Sequence, residues 1–62
     1  MPAAPELSSV ATALSELTTR VADLAESLST GSRDDLATAL YEVERSLGAA
    51  ARRLEAMVDE LR

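Results

Sequence analysis

The 62-residue chain contains no cysteine and no histidine. Disulfides, thiolate or imidazole metal ligands, and catalysis by either side chain are thereby excluded. Lysine, tryptophan, phenylalanine, isoleucine, asparagine and glutamine are missing as well, and Tyr41 is the single aromatic residue. Positive charge is scarce: six arginines face eleven acids, for a net charge of −5. That sign opposes a non-specific grip on nucleic acid or on an anionic membrane. No stretch approaches the roughly 18 apolar residues of a membrane-spanning helix. The opening Met1-Pro2-Ala3-Ala4-Pro5 has no basic residue, and no apolar run follows it, so it does not read as a secretory signal. A cytoplasmic protein is expected.

What remains is a helix-forming alphabet, led by twelve alanines and ten leucines. The two prolines, Pro2 and Pro5, mark residues 1–4 as a disordered lead-in, with Pro5 as the first helical residue and Glu6 beside it at the positive end of the helix dipole. The only later break is Ser29-Thr30-Gly31-Ser32. Gly31 suits the left-handed position after a helix, and Ser32 can cap a second helix with Asp34 and Asp35 in its first turn. This predicts an all-α chain with one domain over 5–62: a helix over 5–29, a turn at 30–32 and a helix over 33–61.

Both helices carry apolar heptads. Leu7, Val10, Leu14, Leu17, Val21, Leu24 and Leu28 alternate spacings of three and four in the first. Leu36, Leu40, Val43, Leu47, Ala50, Leu54, Met57 and Leu61 do the same in the second. Such stripes each want a partner helix. Folded back at Gly31–Ser32, the stripes face each other through residues whose numbers add to 64, such as Leu28 with Leu36 and Leu17 with Leu47. The expectation is an antiparallel two-helix hairpin with these residues as its seam.

A third apolar or small position runs beside each seam: Ala11, Thr18 and Ala25 with Ala22 nearby, then Ala37, Tyr41, Ala51 and Val58 with Gly48 between. A strict two-stranded seam does not need it, whereas a bundle helix does. Ala11, Ala25, Ala37, Tyr41, Gly48, Ala51 and Val58 are therefore expected to form the face that meets a second hairpin, giving a homodimeric four-helix bundle. Gly48 would mark a close backbone approach, since a mid-helix glycine costs about 1 kcal/mol against alanine.

Chemistry is sparse. Glu42, Glu44, Glu55, Asp59 and Glu60 lie mostly off the seam, where carboxylates are simply hydrated, and the Glu-x-x-His pairs of a di-metal bundle are missing. No nucleophile–base pair is visible, so no catalytic, metal-binding or cofactor-binding residue is assigned and a non-enzyme is expected. Tyr41, Arg45 and Arg52 share one side of the second helix and could clamp an acidic protein or an anionic ligand. Against that stands a surface laced by Glu42–Arg45, Arg52–Glu55 and Glu16–Arg20 pairs at helical spacing.

The outline resembles two families of helical hairpin, the anti-sigma hairpins that respond to cyclic di-GMP and the acidic docking elements of modular polyketide synthases. The ligand motif of the first, Glu-x3-Ser-x2-Arg-x3-Gln-x3-Asp, begins at Glu42 and Ser46 but meets Ala49, Arg53 and Met57 where Arg, Gln and Asp belong. The second has no motif to match. No ligand is carried over from either. The function expected is that of a self-associating assembly or regulatory interaction module. Two alternatives are a small anti-sigma- or antitoxin-style regulator acting through Tyr41, Arg45 and Arg52, and a dimerisation or docking segment of a larger multidomain protein.

Overall fold

The computed structural model describes residues 3–61. It contains two α-helices of 28 residues, α1 (Ala3–Thr30) and α2 (Asp34–Leu61), packed side by side as a hairpin. α1 begins two residues before the expected start, so Ala3 and Ala4 are helical and not a disordered lead-in; Met1 and Pro2 lie outside the described residues. Pro5 is tolerated in this first turn because the first four backbone N–H groups of a helix have no partner within it.

The turn also departs from expectation. The amide of Gly31 still donates to the carbonyl of Ser27 at 3.0 Å, extending α1 by a residue. The amide of Arg33 then reaches back to the carbonyl of Leu28 at 2.9 Å, the six-to-one bond of a Schellman motif. The left-handed residue is therefore Ser32, with φ 73°, and not Gly31. Arg33, not Ser32, holds the N-cap position of α2, its carbonyl accepting the first bond, from Ala37 at 3.0 Å.

The buried residues are Ala11, Ala25, Ala37, Ala51 and Val58. Leu7, Leu14, Val21 and Leu28 on α1, and Leu40, Leu47 and Leu54 on α2, are half-buried beside them. The remaining members of the expected seam are exposed: Val10 at 53%, Leu17 and Leu24 on α1, and Leu36, Val43, Ala50, Met57 and Leu61 on α2. The hairpin forms, but its seam lies one stripe round from the leucine–leucine seam expected. Each helix carries three apolar stripes, and a two-helix contact uses only two. The pair chosen includes the alanines, whose short side chains permit close packing of two helices.

Ala4 and Val58 line one shallow depression at the open end of the hairpin, together with Pro5 and Ser8. Thr18 fits the seam because its hydroxyl donates to the carbonyl of Leu14 at 2.8 Å. No helix among the described residues is long and apolar enough to cross a membrane.

The shape is elongated, 48 × 14 × 12 Å, with a Cα radius of gyration of 14.3 Å against about 10.6 Å for a compact chain of this length. Its accessible surface of 4606 Å² likewise exceeds the roughly 3,800 Å² of a compact protein of 6.5 kDa. Apolar surface has been left uncovered.

Candidate interaction surfaces

The uncovered surface lies on one broad side of the hairpin. In α1 the exposed Val10, Leu17 and Leu24 follow Leu7, Leu14 and Val21 by three residues, and so lie beside them, away from the alanines. In α2 the exposed Leu36, Val43 and Met57 precede Ala37, Glu44 and Val58 by one, which is the same heptad position. Two antiparallel helices are related by a two-fold axis normal to the plane that contains them. That operation keeps each side of the hairpin on its own side. Equivalent stripes of α1 and α2 therefore meet on one face, with the half-buried leucines between them as its floor.

Of the residues expected to face a second hairpin, Ala11, Ala25, Ala37, Ala51 and Val58 are instead buried between the chain's own helices, Ala25 to 0% exposure. They are not a free surface. The physical reason is the seam shift: the stripe read as a flank is the centre of the intramolecular contact. Tyr41, 43% exposed, and Gly48, half-buried, follow Ala37 and Glu44 by four residues and so lie on the side of the alanine seam opposite the leucines. A side chain at Gly48 would meet only the Arg52 guanidinium, at 3.6 Å, so α1 makes no close approach there.

Tyr41, Arg45 and Arg52 are all exposed and follow one line along α2, at spacings of four and seven. The surface pairs set against them do not form: among the described residues no ion pair joins Glu42 to Arg45, Arg52 to Glu55 or Glu16 to Arg20. Among the described residues Arg33 does pair with Asp35, Nε to Oδ1 and Nη2 to Oδ2, each at 3.3 Å. The Arg33 guanidinium, and after it the backbone N–H of Leu36, hold the Asp35 carboxyl below its ordinary value. Glu44 is the unusual carboxylate, half-buried in the alanine stripe between Ala37 and Ala51. Among the described residues no group of three or more acids is placed to hold a metal ion.

The chain matches no protein-family model, no curated protein and no solved structure.

Two surfaces thus stand on opposite sides of the seam. One is apolar, continuous along the hairpin and built from both helices; the other is narrow, carried by α2 alone and mixed in character. The apolar side was legible in the sequence as the 3-4 spacing of leucine and valine, although that spacing was read as an internal seam.

Proposed function

We propose that this protein is a non-enzymatic, self-associating helical hairpin, a cytoplasmic assembly or regulatory module whose leucine–valine face is covered by a second copy. The observation that carries the reading is the exposure of Val10, Leu17, Leu24, Leu36, Val43 and Met57, each between 43% and 58%. Isolated exposed leucines need no explanation, but a contiguous apolar face marks an interaction site. The hairpin measures 48 by 14 Å, so a face of about 670 Å² per copy is available before side chains are added, and two copies reach the size of a standard stable interface. A chain of this length also gains most from association, because its own core is four alanines and a valine.

Co-expression of two differently tagged copies tests the reading. The tags co-purify from the wild type and separate when Leu17→Glu and Val43→Glu are combined, while helical content of the isolated variant stays near that of the wild type. Separation of the wild-type tags refutes the proposal.

A second reading, a small regulator that engages an acidic protein or an anionic ligand through Tyr41, Arg45 and Arg52, has one observation in its favour. Neither arginine is tied up in the ion pair that helical spacing permits. An Arg45→Glu, Arg52→Glu double variant then loses an interaction partner yet keeps its mass; an unchanged set of partners refutes this reading alone.

A further inference from the structure

We infer that Tyr41, Arg45, Gly48 and Arg52 form a docking row for an acidic α-helix of another protein, one that carries carboxylates seven residues apart. This rests on the second reading above and names the class of partner.

The row is continuous. Its members follow one another at spacings of four, three and four, and so form one stripe along α2. A stripe of that spacing is what a second helix lying along the first can follow. Arg45 and Arg52 stand seven residues apart, about 10.5 Å along the axis. Between them Gly48 is half-buried and has no side chain, so the row dips at its centre. The Arg52 guanidinium reaches back over this dip, with one nitrogen 3.6 Å from the point that a Cβ on Gly48 would occupy. Helical side chains lean toward the N-terminus, and an Arg45 that leans likewise stands at the level of Tyr41. The two charges then keep their two-turn separation. That separation suits two carboxylates on successive heptads of a facing helix, whereas one compact anion such as phosphate engages one arginine at a time.

Charge points to the same occupant. The chain's net charge of −5 opposes the extended charge of a nucleic acid or an anionic membrane. Residues 45–54, by contrast, are its longest stretch without an acid, and three of its six arginines lie there. Glu42 and Glu55 stand three residues from Arg45 and Arg52, yet among the described residues neither arginine is held in an ion pair. A slender acidic helix touches this strip alone. Tyr41, 43% exposed, adds an aromatic residue, which together with arginine is enriched among the anchors of protein interfaces. The row lies on the side of the alanine seam away from the leucines, so a second copy on the leucine–valine face leaves it open.

Two helix-forming, alanine-rich peptides of equal composition test this by calorimetric titration. One carries two glutamates seven residues apart, on one face; the other carries them five apart, on opposite faces. The first is expected to bind the wild-type chain roughly five-fold more tightly than the second, and Arg45→Glu with Arg52→Glu to weaken it roughly ten-fold or more. A peptide with lysines in place of the glutamates then binds that double variant. Gly48→Leu fills the dip and weakens the first peptide, with helicity and mass of the chain unchanged. Circular dichroism checks the fold of each variant, and Arg45→Gln with Arg52→Gln replaces the charge reversal should it disturb α2. Equal binding of the two peptides, or full binding by the double variant, overturns the inference. Inorganic phosphate that binds through the two arginines while the peptides do not overturns it too, and leaves the second reading standing. Absence of binding by peptide and phosphate alike, up to near-millimolar concentration, overturns both.

Discussion

The amide of Arg33 donates to the carbonyl of Leu28 at 2.9 Å, and in closing that loop it holds Ser32 at a φ of 73°. A side chain in the left-handed region costs roughly 1–2 kcal/mol, which glycine avoids at an entropic cost of roughly 0.5–1 kcal/mol. Ser32→Gly is thus expected to stabilise the hairpin by about 0.5 kcal/mol, read as a raised melting temperature in circular dichroism. An unchanged or lower melting temperature contradicts the assigned turn.

Leu24 and Ala25 are sequence neighbours with opposite roles. Leu24 is 58% exposed on the apolar face and Ala25 is fully buried in the seam. Ala25→Leu forces the helices apart and is expected to destabilise the hairpin by about 1–3 kcal/mol. Leu24→Glu leaves the single hairpin folded and weakens self-association. Helicity and mass, measured on both variants, separate the effects; if Leu24→Glu unfolds the chain while Ala25→Leu is harmless, the seam runs through the leucines.

The fold was largely legible before any coordinates. Uniform heptads in both halves, and one Gly–Ser break between them, require two helices that fold back. What could not be read was which two of three apolar stripes meet. Leu7, Leu14, Val21 and Leu28 belong to the contact under either choice, so the apolar pattern alone does not decide between Ala11 and Ala25 on one side and Val10, Leu17 and Leu24 on the other. The distance between the helix axes decides, and no one-dimensional pattern encodes that distance. For the same reason Ala11, Ala25, Ala37, Ala51 and Val58 were grouped together correctly as one stripe but given to the wrong contact. The left-handed residue was missed by one position because the rule that places glycine there assumes that the helix stops before Gly31. The surface pairs expected at Arg45 and Arg52 do not form, because helical spacing permits them without fixing exposed arginine rotamers.

Glu44 interrupts the alanine stripe of α2 between Ala37 and Ala51. A half-buried carboxylate there loses hydration and presents a long side chain to a contact otherwise made by alanine. Glu44→Ala is expected to raise stability by about 0.5–1.5 kcal/mol in urea titration. A loss of stability would mean that the carboxylate supports the seam, as a polar residue that fixes helix register does.

Asp35 links the turn to acidity. Its carboxyl is held below its ordinary value by the Arg33 guanidinium and then by the Leu36 N–H. A folded-state value below the unfolded one stabilises the fold above the unfolded value, and this contribution is lost as the pH falls through the folded one. Asp35→Asn is therefore expected to be slightly less stable than the wild type at neutral pH, with the difference vanishing at pH values below the folded carboxyl's own. The pair is solvent-exposed, so added salt shrinks the effect. A difference that persists in strong acid rules out the ion pair as its source.

The account turns on the leucine–valine face finding its cover in a second copy. Sedimentation equilibrium of the unmodified chain, from low micromolar to near-millimolar concentration, tests this most directly. The prediction is a mass rising to twice the 6.5 kDa of one chain, with a melting temperature that rises over the same concentrations. A single-chain mass throughout, with a melting temperature independent of concentration, contradicts it.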